Sequence, residues 1–268
     1  MKRVISVLLV AVLLVLGLVG CGAKTESKQV QTLKIGVTGG PHEKIAKKVQ
    51  ELAAVQGLNI ELIVFNEYIQ PNIQLFEKEL DVNIFQHEPY LIKFNADRSM
   101  NLIKVAPAVN FPMGIYSEKI ASTEELKDGD KVAVPNDATN QARALMLLES
   151  AGIIKLKEGI GTKATVKDIA ENPKNIKIVE LEAPMLIRAL PDISAAAINT
   201  NFIIEAGMNP LEDSIFIEDK NSPWVNFIVT RPELKDDERI KKLVEIYQSP
   251  EIKKFIEDTF DGSIIPAF

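Results

Sequence analysis

Hydrophobic positions change rhythm sharply along this chain. Val4 to Gly20 is apolar apart from Ser6, and it follows the basic start Met1-Lys2-Arg3. From Leu33 onward the pattern alternates between strand and helix periods. Leu33-Lys34-Ile35-Gly36-Val37 reads as a strand that runs into Thr38-Gly39-Gly40-Pro41. Beyond Glu43, the residues Ile45, Val49 and Leu52 recur at helical spacing, and Gly57 stands where a C-cap glycine is expected. Ile60-Glu61-Leu62-Ile63-Val64-Phe65 is the next strand. The three pieces form a βαβ unit, which implies a parallel pair with a right-handed crossover. A helix predicted from about Gln70 to Glu79 leads to Asp81-Val82-Asn83-Ile84-Phe85. Val82 and Ile84 alternate with the residues around them, as in a short strand with one apolar face. Pro89 suits the first turn of a helix, where an N–H has no intrahelical use. The chain therefore turns from strand to helix near His87.

A second set of alternations starts beyond Phe111-Pro112-Met113-Gly114-Ile115-Tyr116. Lys131 to Val134 is a strand, Pro135 to Asn140 a turn, and a helix then runs through Leu145, Leu148 and Ala151 to Gly152. Ile176 to Leu181 and Ala195 to Ile198 are short apolar strands, each followed by a helical stretch. Val225 to Val229 is the last strand. From Pro232 the tail carries Ile240, Leu243, Val244, Tyr247, Ile252, Phe255 and Ile256 at roughly helical intervals, so it should pack back on the first set. The predicted fold class is α/β, two-lobed, with two crossing strands near Phe111 and Val225. Lobe 1 takes about 33–110 plus 228–268, lobe 2 about 111–227, and a ligand would lie between them.

The leader changes the picture of where this fold works. A basic start, an apolar run and the ending Leu18-Val19-Gly20-Cys21 make residues 1–20 a signal peptide. The ending resembles the lipobox of bacterial lipoproteins, in which the cysteine becomes the lipid-bearing N-terminus. The competing reading is an uncleaved membrane helix, because the run is near the lower length limit of about 17 residues for a span. Residues 21–32 then form the lipidated Cys21 and a polar tether. Cys21 is the only cysteine, so the exported body has no disulfide and no cysteine metal cluster. A formal net charge of -6 argues against a nucleic-acid face.

Several candidate chemistries fail on spacing. Thr38-Gly39-Gly40-Pro41 lacks the Lys-Ser/Thr of a phosphate loop and fits a plain strand-to-helix turn. His42-Glu43 and His87-Glu88 lie on separate segments with no His-Glu-x-x-His spacing, a poor basis for a metal. No Gly-x-Ser-x-Gly elbow offers a nucleophile. Phe85, His87 and Tyr90 present flat, soft surfaces at a strand's carboxyl end, the usual ligand crevice of open α/β sheets; read alone, they serve a core equally well. Arg143 falls in the first turn of the helix after Thr139-Asn140. On the inward side of lobe 2 its guanidinium would grip a carboxylate through two parallel hydrogen bonds. A solvent-facing arginine is the other reading.

Longer stretches carry more. Phe65-Asn66-Glu67-Tyr68, Phe85-Gln86-His87-Glu88-Pro89-Tyr90-Leu91, Val134-Pro135-Asn136-Asp137-Ala138-Thr139-Asn140, Glu171-Asn172-Pro173-Lys174-Asn175, Ile198-Asn199-Thr200 and Asp219-Lys220-Asn221-Ser222-Pro223-Trp224-Val225-Asn226 stand in one order. Together they resemble the NlpA/MetQ family of methionine-binding lipoproteins, the receptors of methionine ABC importers, over nearly everything after the tether. The resemblance implies a non-enzymatic receptor that closes on free methionine, with no cofactor and no metal, anchored at the extracytoplasmic face of the cell membrane. It implies that Arg143 holds the ligand carboxylate, and that Asn199 and Asn226 bind its backbone end, ammonium included. Tyr68, Phe85, His87 and Tyr90 would wall the thioether. Phe111, Phe202 and Trp224 stand where tyrosines are more usual. L-methionine is the expected ligand; D-methionine, a methionine-containing dipeptide or another small amino acid is the alternative. Rival readings are a secreted enzyme using His87 with Glu88, a metal receptor and a purely structural lipoprotein.

Overall fold

Burial of the alternating strands explains the architecture of the computed structural model, which describes residues 32–220 and 222–268. The leader and Cys21 lie outside the described residues. The described residues hold thirteen strands and nine helices, among which the strands read from the patterning occur in their expected order. The first part contains β1 (Leu33–Thr38), α1 (Pro41–Val55), β2 (Ile60–Phe65), α2 (Gln70–Phe76), β3 (Val82–His87), α3 (Glu88–Arg98) and β4 (Ile103–Asn110). The second contains β5 (Gly114–Tyr116), β6 (Lys131–Pro135), α4 (Ala138–Ser150), β7 (Lys155–Leu156), β8 (Ile169–Glu171) and β9 (Lys177–Leu181). It continues through α5 (Leu186–Ala189), β10 (Ala195–Ile198), α6 (Thr200–Glu205), α7 (Pro210–Asp213) and β11 (Ser214–Ile217). The chain returns with β12 (Val225–Thr230), α8 (Glu238–Tyr247), α9 (Pro250–Phe260) and β13 (Ile265–Pro266).

Two sheets result. The first has the order β13-β4-β12-β3-β1-β2, and the second β11-β5-β10-β6-β9, while β7 and β8 pair with each other. In the first sheet β1 runs parallel to β2 and β3, and β12 enters antiparallel between β3 and β4. In the second, β6 is parallel to β9 and β10, whereas β5 and β11 run antiparallel. Residues 111–113 and 218–224 connect the sheets, each continuing from a strand of the first or leading into one. This is the two-lobed fold. The tail packs on the first lobe, where Ile240, Leu243, Tyr247, Ile252 and Ile256 share a core with Leu33, Ile35 and Val37. Around α4, Leu145 and Leu148 pack with Val132 and Val134 in the second lobe. Fully burying side chains of this size contributes roughly 1.5–3 kcal/mol each.

Two local differences from the patterning have physical causes. β3 is buried at every position, polar residues included, rather than on one face. Its polar members are satisfied by amides: Asn83 donates to Asn72 Oδ1 at 2.8 Å, and Gln86 donates to the same oxygen at 2.6 Å. Asn72 in turn donates to Gln86 Oε1 at 2.8 Å, which ties α2 to β3. Buried amides are tolerated when paired in this way. Helix α2 ends at Phe76, short of Glu79, because Lys78 turns the backbone to φ 70°.

Candidate functional site

The parallel strands of both sheets end at one cavity lined from both lobes, the usual place for a ligand crevice in α/β sheets. From the first lobe, β3 delivers Phe85, Gln86 and His87, the loop after β2 delivers Tyr68, and α3 delivers Tyr90. From the second, α4 supplies Asn140 and Arg143, and the end of β10 supplies Asn199 followed by Asn201. Asn226 enters on β12, and His42 from the start of α1. All seven residues singled out from the sequence, Tyr68, Phe85, His87, Tyr90, Arg143, Asn199 and Asn226, therefore line one space.

One end is aromatic. Tyr68 stacks on Phe85 at 5.9 Å between centroids and stands edge-on to Tyr90 at 6.1 Å. Phe202 backs Tyr68 at 5.3 Å. Tyr90 Oη donates to the Tyr68 carbonyl at 2.9 Å, so its hydroxyl is not wasted in the wall. Phe111 lies against His42 at 4.4 Å.

The hydrogen bonds fix the state of both histidines. Tyr90 N–H donates to His87 Nδ1 at 3.2 Å, so that nitrogen carries no proton and Nε2 does. Nε2–H then donates to Asn140 Oδ1 at 3.2 Å, across the lobes. Burial, aided by the Arg143 charge, pulls the His87 imidazole down to a pKa of about 3. His42 is similar: Thr38 Oγ1 lies 2.8 Å from Nδ1, and Nε2–H donates to Asn226 Oδ1 at 3.1 Å. Burial lowers His42 to about 4 against the opposing effect of the Asn226 bond. Both rings are neutral hydrogen-bonding parts.

Asn140 is oriented with little freedom. Its Nδ2 donates to Asp137 at 2.9 Å, and a carboxylate offers only acceptors. Asn140 Oδ1 consequently faces His87 and also accepts from Asn199 Nδ2 at 3.0 Å. That leaves Asn199 Oδ1 turned out as an acceptor, buried and without a hydrogen-bond partner among the described residues. A second bond across the lobes runs from Tyr68 Oη to Asn201 Oδ1 at 2.6 Å.

Arg143 needs correction on two counts. It sits in the second turn of α4, not the first, because the helix begins at Ala138. It is also not a free fork. Nε donates to Glu218 Oε1 at 2.8 Å, and Nη2 donates to Glu218 Oε2 at 2.5 Å and to the Phe111 carbonyl at 2.7 Å. Only Nη1 carries none of these bonds. The guanidinium is 2% exposed, and it lies over the Trp224 ring at 5.1 Å. A buried arginine needs a counter-charge, and Glu218 supplies it. Spacing alone missed Glu218, His42, Asn140 and Asn201. Glu218 and His42 take their roles from partners far away in the chain, which no local pattern reveals.

Two α/β lobes around one cavity with an aromatic end and a polar end define a two-lobed substrate-binding protein. The chain belongs to the NlpA lipoprotein family, whose pattern it matches over residues 33–268. It is 47% identical over 253 residues, 93% of each chain, to the D-methionine-binding lipoprotein MetQ of Escherichia coli K12. It is 40% identical to Lipoprotein 28 of the same organism over 261 residues, 96% of each chain. Among solved structures, a nutrient binding protein from Burkholderia cenocepacia bound to methionine superposes with a TM-score of 0.86 at 45% identity, over 88% of this chain and all of that one.

Proposed function

We propose that this chain is a receptor that binds free methionine between its lobes and delivers it to an ABC importer, anchored on the extracytoplasmic side through lipid at Cys21. The observation that carries the reading is the two-ended cavity. Tyr68, Phe85, His87 and Tyr90 offer ring faces and edges, and sulfur beside aromatic edges gains about 0.3–1.5 kcal/mol per contact. Arg143, Asn199 and Asn226 offer a cation and amide groups to a zwitterion. The relative bound to methionine supports the ligand class. The relative named for D-methionine makes the D isomer a second reading beside L-methionine.

The test is mass spectrometry of small molecules released when the purified protein is denatured, followed by chiral chromatography. Methionine is expected, and its absence, with no calorimetric binding of either isomer, would overturn the reading. Anchoring is tested separately. Stable anchoring takes more than one acyl chain, with about 0.8 kcal/mol per buried CH₂. Cys21→Ser should therefore release the protein from membranes, and retention in the membrane fraction would count against the anchor.

A further inference from the structure

Arg143 spends two of its three nitrogens on Glu218 and the Phe111 carbonyl. A ligand carboxylate in this cavity therefore needs another donor. Asn201 is the neighbour equipped to provide it. It lines the cavity and is 4% exposed. Tyr68 Oη donates to its Oδ1 at 2.6 Å, which leaves Nδ2 as the free end of the amide. Among the described residues, that buried Nδ2 has no hydrogen-bond partner. A buried donor without a partner costs free energy, which a ligand acceptor recovers. The thioether of methionine accepts weakly, whereas its carboxylate accepts strongly.

The position of Asn199 selects the same end of the ligand. Its Oδ1 is forced outward as an acceptor by the Asp137–Asn140 arrangement, and an acceptor suits an ammonium. Asn201 follows two residues later on the same cavity wall. Ammonium and carboxylate hang from one carbon in an α-amino acid, so an acceptor and a donor lining the same cavity can match the two groups together. We propose that Asn201 is a further ligand-binding residue, whose Nδ2 donates to the ligand carboxylate in place of the second prong that Glu218 denies to Arg143. The Tyr68 bond to Oδ1 strengthens this donor, because linked hydrogen bonds polarise one another. This inference rests on the amino-acid-receptor reading.

The experiment compares wild type, Asn201→Ala, Asn201→Asp and Tyr68→Phe by calorimetric titration with methionine, with thermal unfolding of each ligand-stripped protein as the folding check. Asn201→Ala should weaken methionine binding by about 10- to 100-fold, the usual range for losing a hydrogen bond to a charged group. Asn201→Asp keeps the size and still accepts from Tyr68 but sets a carboxylate against the ligand's own, so its loss should be larger still. Tyr68→Phe removes only the hydroxyl and should cost less than either. If Asn201→Asp binds as well as or better than Asn201→Ala, or if Asn201→Ala binds within about threefold of wild type, Asn201 does not hold the carboxylate. A loss in Tyr68→Phe equal to that in Asn201→Ala would reduce Asn201 to an anchor for Tyr68 and overturn the proposal. A wild type that does not bind methionine would bring down the receptor reading itself, and the Asn201 role with it.

Discussion

Arg143 shows how a single side chain changes meaning when its partners are seen. From its place in the chain it promised an open guanidinium fork on an otherwise intact fold. Its fork is closed by Glu218, which is 10% exposed, so the pair belongs to the packing as well as to the site. Removing one partner of such a pair leaves an uncompensated charge and costs about 3–5 kcal/mol of stability. Arg143→Ala should therefore lose both folding stability and ligand affinity, the latter by roughly 30- to 4,000-fold. Arg143→Lys keeps a charge but cannot serve both Glu218 oxygens and the Phe111 carbonyl with the same geometry, so it should fall between Arg143→Ala and wild type. Urea unfolding of the ligand-stripped proteins checks the first effect, and calorimetry the second. An Arg143→Ala protein that unfolds at the wild-type midpoint would mean that Glu218 has found other partners.

Elements were legible wherever the period was long and regular. The β1–α1–β2 unit, the turn at His87 and helix α4 follow from period-2 and helical spacing, although α4 starts at Ala138, inside the stretch read as a turn. β4 was harder to read, because Pro107 sits inside it and proline argues against a paired strand. β12 accommodates it with register shifts between Val225 and Phe227 and between Ile228 and Val229. β13 is two residues long and leaves no pattern to detect. The candidate site was legible through its motif residues, but not through residues such as His42 and Glu218, whose partners lie on distant elements. Gly40 belongs to the same group. It caps α1 at φ 72°, and a Cβ there would stand 3.1 Å from the Asn201 carbonyl and from Glu205 Cβ on α6. The close approach therefore joins the two lobes. Gly40→Ala should strain the turn by about 1–3 kcal/mol. It should also crowd α6 whenever the lobes are shut, which overpacking puts at about 1–3 kcal/mol. Methionine affinity should fall by roughly 5- to 150-fold, with a lowered melting temperature in the ligand-free protein. Calorimetry and thermal unfolding read the two effects, and unchanged affinity would show that the β1–α1 turn does not bear on α6 when ligand is held.

At the scale of the whole molecule, the two histidines link stability to pH. Both are held neutral, with pKa values of about 4 for His42 and about 3 for His87, whereas an unfolded histidine titrates near 6.5. Between those values the unfolded chain binds more protons than the native one, so stability is full above about pH 6.5 and is lost as the pH falls toward 4. Each histidine contributes a slope of up to about 1.4 kcal/mol per pH unit. Urea unfolding at pH 7, 5.5 and 4.5 should show the decline, and His42→Gln should flatten it; an identical slope in that variant would exclude His42 as a source. The same cavity ties the lobes together through Tyr68–Asn201 and His87–Asn140, while among the described residues the sheets are connected by residues 111–113 and by 218–220 with 222–224. Short connections and breakable bonds across a cleft are the parts of a hinge. Trp224, the only tryptophan, ends the second connection. It lies behind the cavity, with Arg143 over its ring at 5.1 Å and the His87 ring at 5.0 Å. The two contacts come from different lobes, so opening should change the surroundings of Trp224 without its touching the ligand. Methionine added to ligand-stripped protein should shift the tryptophan emission and contract the scattering radius together. Contraction with constant emission would leave residues 218–224 fixed relative to both lobes, and constant values of both would mean that the lobes do not hinge.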